Sequence, residues 1–169
     1  YRYYPDSQPF DGRFDYRSVI GKANYLEKST RPEIAYAVHQ CARFSANPKI
    51  QHGEAVKWLG RYLRATRDKG LIFKPTDQSF DCWVDADFAG NWDPTDSNHP
   101  DTVRSRTGYV ITYAGCPITW KSKMQTQVAL STTESEYISL STALREVIYL
   151  QQMIQEMRDH NLEFEDVHP

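Results

Sequence analysis

The chain has 169 residues, of which 40% are hydrophobic, 13% aromatic and 25% charged, and this composition excludes a wholly disordered protein. A mean hydropathy of -0.67, with no apolar run near about 20 residues, excludes a transmembrane helix. The net charge of -2, taken alone, argues against a nucleic-acid-binding protein, because such proteins are usually basic.

Three widely spaced cysteines, Cys41, Cys82 and Cys116, fit neither a disulfide framework nor a zinc-binding Cys-x-x-Cys pair. This usage is typical of a reducing compartment, so we expect an intracellular protein of the cytoplasm or the nucleus. No secretory leader is visible, and the chain opens on Tyr1 rather than methionine. We therefore expect a piece of a longer polypeptide.

The first half of the sequence is predicted to be helical, because its apolar residues recur at helical spacing. The pattern predicts helices over residues 15–28, 34–44 and 55–63. Ser29 or Thr30 can cap the second helix, and Pro32 suits its first turn. The run of residues 71–73 is predicted as a short strand.

The third of these helices carries a concentration of positive charge. Two acidic residues, Glu54 and Asp68, oppose five cations on and after the helix, namely Lys57, Arg61, Arg64, Arg67 and Lys69. One interpretation is a helix that follows the phosphates of a nucleic acid. The alternative is an ordinary solvated helix face, whose cations lie favourably near the helix C-terminus.

A strand with acidic residues on one face is predicted over residues 80–87, where apolar and polar positions alternate. Asp85 and Asp87 are two residues apart, so they share a face and can converge on a cation. Magnesium typically takes one or two protein carboxylates. The alternative is a pair of ordinary aspartates at the end of a strand.

Residues 91–102 form a long polar segment that we predict to be a loop. A strand over residues 107–113, a turn at Ala114-Gly115 and a return strand running from Ile118 as far as Leu130 follow it. Together with the aspartate strand they predict a three-stranded antiparallel sheet.

The last predicted element is a long helix that opens within residues 131–136 and continues to about Met157. Both Ser131 with Glu134 and Thr133 with Glu136 match the Ser/Thr-x-x-Glu capping box. Either glutamate can therefore be a cap, and a glutamate in the first turn can also face the end of the aspartate strand.

The charge divides sharply at a polar stretch after Thr76. Residues 1–76 contain 14 Lys and Arg against 7 Asp and Glu, and residues 77–169 contain 6 against 15, giving net charges of +7 and -9. A basic half can neutralise phosphates, whereas an acidic half repels them unless its carboxylates hold metal ions. The alternative is two ordinary solvated surfaces that happen to differ in charge.

The ordered motifs resemble the end of the reverse transcriptase and the ribonuclease H domain of Ty1/copia-type retrotransposon Pol polyproteins. They are Thr30-Arg31-Pro32-Glu33-Ile34-Ala35-Tyr36-Ala37-Val38, Val84-Asp85-Ala86-Asp87, Ser105-Arg106-Thr107-Gly108-Tyr109, Trp120-Lys121-Ser122-Lys123 and Ser131-Thr132-Thr133-Glu134-Ser135-Glu136-Tyr137. The resemblance implies a thumb- or connection-like helical segment over 1–76. It implies a ribonuclease H-like α/β domain over 77–169, whose later strands are missing.

The resemblance also implies a chemistry, namely hydrolysis of the RNA strand of RNA–DNA hybrids with two Mg²⁺ or Mn²⁺ ions about 4 Å apart. Asp85 matches the first catalytic aspartate, which bridges the ions, and Glu136 matches the catalytic glutamate, which holds one ion. Glu134 accompanies it as a cap or supporting group, and Asp87 helps to orient the site. The implied contacts with nucleic acid are Lys57, Arg61, Arg64, Arg67, Arg104, Arg106, Lys121 and Lys123.

One part of the family pattern is missing, namely the Glu-Asp-Asn motif that carries the third catalytic carboxylate on a following strand. The late candidate is Asp166 in Glu165-Asp166. Without that strand the aspartate strand has an open edge, which invites pairing. We expect the remainder of the Pol polyprotein or a second chain to complete it. The alternative functions are a catalytically silent module that binds nucleic acid or protein, and a purely structural fragment. The family implies the cytoplasm, in a virus-like particle, or the nucleus.

Overall fold

A computed structural model describes residues 7–77, 79–94 and 100–160. The described residues form two compact units. The first contains residues 7–71 and 91–94, and the second contains residues 72–77, 79–90 and 100–160. The boundary lies at Leu71, five residues before the predicted cut at Thr76, and part of the long polar segment belongs to the first unit.

Three helices build the first unit, namely α1 (Tyr16–Ser29), α2 (Ala35–Ala42) and α3 (Ile50–Ala65). The Asp15 side chain caps α1 by accepting a hydrogen bond from the Ser18 N–H at 3.0 Å. A short 3-10 turn, Pro32–Ile34, leads into α2.

The third helix begins at Ile50, earlier than the apolar pattern predicts. The Lys49 N–H donates to His52 Nδ1 at 3.0 Å, which satisfies a backbone group at the helix start. Gly53 faces the Phe10 ring so closely that a side chain there would collide with it. Because the first turn is held by polar and glycine contacts, its sequence shows no apolar periodicity. The apolar pattern therefore does not predict this turn.

The core of the first unit consists of two apolar clusters between its helices. One contains Tyr16, Ile20, Cys41, Ala55 and Val56, and the other contains Ala23, Ile34, Val38 and Leu59. Buried polar groups join distant segments, as when the Tyr16 hydroxyl donates to the Cys41 carbonyl at 2.8 Å. The described part of this unit therefore encloses its core with its own side chains.

The second unit contains three strands, β1 (Phe80–Asp87), β2 (Arg106–Tyr113) and β3 (Cys116–Met124), paired antiparallel in the order β1-β2-β3. Ala114 and Gly115 connect β2 to β3 with φ angles of 53° and 74°, as a two-residue hairpin turn requires. Among the described residues β1 pairs with β2 alone, so its other edge is open. The molecule is a mixed α/β protein with a helical N-terminal part.

Three predicted details are wrong. Residues 71–73 form no strand, because no neighbouring strand pairs with them, and Ile72 and Phe73 are exposed. The return strand ends at Met124 rather than Leu130, because the buried Gln125 side chain instead donates to the Ser135 carbonyl at 2.9 Å. The predicted loop over residues 91–102 contains the start of a one-turn helix, α4 (Pro100–Val103).

The long helix α5 (Thr132–Asp159) packs on the sheet through Ala143 and Val147, which meet Tyr109 and Ile111 of β2. No helix in the described parts of the chain is long and apolar enough to cross a membrane. The face of α5 that packs on the sheet is only part of its apolar surface. Four further apolar side chains at helical spacing stay exposed, namely Tyr137, Leu140, Leu144 and Ile148.

Candidate active site

A cavity of about 340 Å³ lies where the C-terminal end of β1 meets the N-terminal end of α5. Asp85 and Glu136 both line it, although 51 residues separate them in the sequence. The remaining lining residues are Val84, Ala86, Thr133, Tyr137 and Leu140. The structure thus brings together the two carboxylates that the sequence motifs single out.

Asp85 belongs to the exposed set of alternating β1 residues, while Val84 packs towards the core. Its partner on β2 is Gly108, which has no side chain to crowd it. Glu136 is exposed and follows the fully buried Ser135 in the first turns of α5. Both carboxylates are therefore open to a ligand from solvent.

Glu134 has a different role from Glu136. The Ser131 hydroxyl accepts from the Glu134 N–H at 3.1 Å, and the Glu134 carboxylate accepts from the Leu130 N–H at 2.6 Å. These bonds satisfy backbone groups at the start of α5. The cap is formed by the first of the two overlapping motifs, which leaves Glu136 in the cavity.

Asp87 and Asp166 do not join this pair. The Asp87 carboxylate lies against Gly90, in the turn after β1, and does not line the cavity. Asp166 lies outside the described residues. Within the described ranges, no group of three or more His, Cys, Asp or Glu side chains is placed to hold a metal ion.

Sequence comparison identifies related proteins for most of this chain. It is 42% identical over 149 residues to the Retrovirus-related Pol polyprotein from transposon TNT 1-94 of Nicotiana tabacum, a match that covers 88% of this chain and 11% of that protein. It is 35% identical over 144 residues to the Pol polyprotein from transposon RE1 of Arabidopsis thaliana, covering 85% and 9%. The Secreted RxLR effector protein 161 of Plasmopara viticola is 37% identical over 136 residues, covering 80% of this chain and 90% of that protein.

These transposon relatives are Ty1/copia-type Pol polyproteins, and this chain is homologous to a segment of each. It spans about a tenth of the length of the two transposon polyproteins. No family model and no solved structure matches it.

The cations of α3 stay at the surface of the first unit. Lys57 donates to Glu54 at 2.8 Å, and this hydrogen bond lowers the pKa of the Glu54 carboxyl. Arg64 is exposed, and Arg67 lies 3.6 Å from the equally exposed Asp68. Such exposed ion pairs contribute little to stability, so these cations can exchange partners for phosphates.

The cations predicted in the second unit differ from one another in their exposure to solvent. Arg106 is only 5% exposed and donates to the Ser122 hydroxyl at 3.3 Å, so it lies inside the unit. Arg104 is half-buried, and Lys121 lies 3.8 Å from Glu146 of α5. Lys123 is exposed.

Sequence patterns did not predict two residues of α3 that have the chemistry of a binding site. Trp58 and Tyr62 line a second cavity, of about 290 Å³, within the first unit. Their signal in the sequence is a pair of aromatic residues four positions apart among cations, which places both on one helix face.

Proposed function

We propose that this chain contains the end of the reverse transcriptase and the start of the ribonuclease H domain of a copia-type polyprotein. Its chemistry is metal-dependent hydrolysis of the RNA strand of RNA–DNA hybrids. The observation that carries the proposal is the single cavity shared by Asp85 and Glu136. The two family motifs that contain these residues meet there, on a three-stranded antiparallel sheet and the helix that follows it.

The residues of the cavity fit a divalent cation. Asp85 and Glu136 supply hard oxygen ligands, and Mg²⁺ takes one or two such carboxylates together with waters and substrate phosphates. Bound divalent ions would supply a nucleophilic hydroxide at neutral pH and stabilise the departing 3′-oxygen. Thr133 contributes a hydroxyl to the same wall.

The chain's own residues determine when the substrate can approach. The exposed carboxylates Asp85 and Glu136 repel a phosphate backbone until cations neutralise them. The basic α3 helix attracts the same backbone through Arg61 and Arg64. We therefore assign positioning of the hybrid to the first unit and hydrolysis to the second.

The family pattern has three catalytic carboxylates, and among the described residues Asp85 and Glu136 are the two that share the cavity. We propose that the remainder of the polyprotein, or a second chain, supplies the third carboxylate.

The polypeptide that supplies the third carboxylate would also complete the sheet. The open edge of β1 can pair with one more strand. A strand in that position would also cover the exposed apolar residues of α5 beside the cavity, beginning with Tyr137 and Leu140.

A second candidate function is a catalytically silent module that binds nucleic acid or protein. The observation that favours it is that two carboxylates, rather than three, meet within the described residues. Two ligands hold a pair of cations more weakly than three do.

Incubation of the chain with an RNA–DNA hybrid carrying a labelled RNA strand, in Mg²⁺ or Mn²⁺, tests the proposal. We expect slow cleavage of the RNA strand alone, lowered at least about 100-fold by Asp85→Asn and by Glu136→Gln, because each removes a carboxylate that would hold the cations needed for the reaction. Glu134→Gln is the matched control, and cleavage should stay within about threefold of the unchanged chain.

Two results would decide against hydrolysis by this cavity. Cleavage that survives Asp85→Asn would remove Asp85 from the site. Binding of the hybrid without any cleavage would favour the silent module.

A further inference from the structure

A groove lies between α2 and α3 of the first unit, with a volume of about 290 Å³. Its floor consists of buried residues, among them Cys41, Ala55 and Leu59. Trp58 and Tyr62 also line it, yet their side chains are 65% and 42% exposed. The groove is therefore an apolar slot with aromatic walls that open to solvent.

Each of these rings has a guanidinium group beside it. The Arg61 guanidinium lies 5.2 Å from the centre of the Trp58 ring, and that of Arg31 lies 5.8 Å from the centre of the Tyr62 ring. Contacts of this kind attract a cation to the face of a ring and help to fix its orientation. The rings are thus held in place before a ligand arrives.

Arg31 is itself immobilised. It is 4% exposed, pairs with Glu33, and donates to the Thr66 carbonyl at 3.1 Å and to the Thr66 hydroxyl at 2.6 Å. The contact with Glu33 and burial act in opposite directions on its pKa, and the former is larger, so the pKa is raised and the group stays charged. Arg31, which precedes the 3-10 turn, thus links the Tyr62 ring to Thr66 at the C-terminal end of α3.

Charge is distributed unequally around the groove. Glu33 lines its α2 side, where a carboxylate repels phosphate. Arg61 and Arg64 follow on α3, with Lys57 one turn before Arg61. A ligand that combines a flat apolar body with a phosphate would place the body in the slot and the phosphate over α3.

We propose that this groove binds an unpaired base of a single-stranded nucleic acid, stacked on Trp58, with the neighbouring phosphates over Arg61 and Arg64. Stacking on aromatic side chains beside a basic track is how proteins bind single strands without reading their sequence. The inference rests on the proposed contact of α3 with phosphates, and it is independent of hydrolysis in the second unit. It assigns a function to Trp58 and Tyr62, which hydrolysis does not use.

The test compares a labelled single-stranded oligonucleotide of thymidines with an oligomer of the same length whose sugars carry no bases. Both present the same phosphates, so the bases alone distinguish them. Binding of the 169-residue chain to each is measured by fluorescence anisotropy over a series of salt concentrations. We expect the oligonucleotide with bases to bind about tenfold or more tightly than the abasic one.

Substitutions at Trp58 then locate the site. Trp58→Ala should remove this difference while leaving the abasic oligomer's affinity and its salt dependence unchanged, and Trp58→Phe should retain most of the difference. Tyr25→Ala is the matched control, because Tyr25 is 76% exposed on α1 and does not line the groove. Circular dichroism of each variant verifies folding.

Three results would overturn the proposal. Equal affinity for the two oligomers would leave α3 as a phosphate-binding helix and remove the base from the groove. A lack of binding to either oligomer would remove the phosphate contact as well. A dimer of the chain that Trp58→Ala dissociates would assign the groove to a second copy.

Discussion

The two units expose different kinds of apolar side chain. In the described part of the first unit, the large apolar residues at the surface are all Tyr or Trp, namely Tyr25, Tyr36, Trp58, Tyr62 and Trp92. In the second unit, α5 exposes aliphatic residues as well, including Leu140, Leu144 and Ile148. Tyrosine and tryptophan carry a polar group and tolerate water, whereas aliphatic side chains gain stability only by burial.

The first unit thus exposes side chains that can stack on a ligand, whereas the second exposes side chains that burial would stabilise. The first unit encloses its aliphatic side chains and leaves stacking groups outside. Within its described residues, the second unit has one strand edge without a partner and an exposed apolar face on α5. We infer that the first unit is stable with its own residues, and that the second gains stability from whatever pairs with β1.

A matched pair of isoleucines in the second unit tests this difference most severely. Ile111→Ala should lower the free energy of unfolding by about 2–5 kcal/mol, because Ile111 is fully buried between β2 and α5. Ile148→Ala should change it by no more than about 0.5 kcal/mol, because that side chain is 51% exposed. Urea denaturation followed by circular dichroism measures both.

An equal cost for the two substitutions in the chain alone would show that Ile148 is already covered. That result would contradict an open face on α5. If a polypeptide that completes the sheet is added, we expect Ile148→Ala to become destabilising.

The loss of stability that Cys41 causes in the first unit should begin at a lower pH than the loss that Tyr109 causes in the second unit. Burial raises the pKa of the Cys41 thiol from 9.0 to about 11, and burial, assisted by Glu146, raises that of the Tyr109 hydroxyl from 10.0 to about 12. Below pH 9 the thiol is protonated in both the folded and the unfolded state. Between pH 9 and 11 it ionises in the unfolded chain first, so the first unit loses at most about 3 kcal/mol over this range.

The same reasoning places the loss from Tyr109 between pH 10 and 12, one unit higher. Amide hydrogen exchange, corrected for its intrinsic pH dependence, locates each loss in the chain. Cys41→Val should abolish the decline that begins near pH 9. If the first unit of that variant still weakens from pH 9, the assignment to Cys41 is wrong.

The smallest expected effect concerns the cap of α5. Ser131→Ala should lower the free energy of unfolding by about 1 kcal/mol, because it removes the oxygen that accepts from the Glu134 N–H. Thr133→Ala, in the overlapping motif, should cost no more than about 0.5 kcal/mol. Thermal denaturation measures the stability of the two variants. A larger loss of stability for Thr133→Ala than for Ser131→Ala would identify Thr133, rather than Ser131, as the cap.

Much of the fold could be predicted from local patterns. Apolar spacing predicted α1, apolar spacing together with the Ser131 capping motif predicted α5, and alternation predicted β1. Local patterns gave wrong predictions where contacts with residues far away in the sequence determine the secondary structure. The residues around Ile72 are strand-like in composition but have no strand to pair with, and Gln125 ends β3 because its side chain bonds to α5.

The candidate site, like the fold, could be predicted only in part from local patterns. Spacing alone could not distinguish the two overlapping capping motifs, and the contacts of Glu134 identify it as the cap and leave Glu136 in the cavity with Asp85. The groove beside Trp58 could not be predicted, because two helices from different parts of the sequence form it.

Nuclear magnetic resonance with Mn²⁺ shows whether Asp85 and Glu136 together hold a divalent cation. Paramagnetic Mn²⁺ broadens the amide signals of nearby residues even when it binds weakly. We expect selective broadening around Asp85 and Glu136, reversed by excess Mg²⁺, lost in Asp85→Asn and retained in Glu134→Gln. Broadening that is centred on other carboxylates, or that persists in Asp85→Asn, would contradict the account.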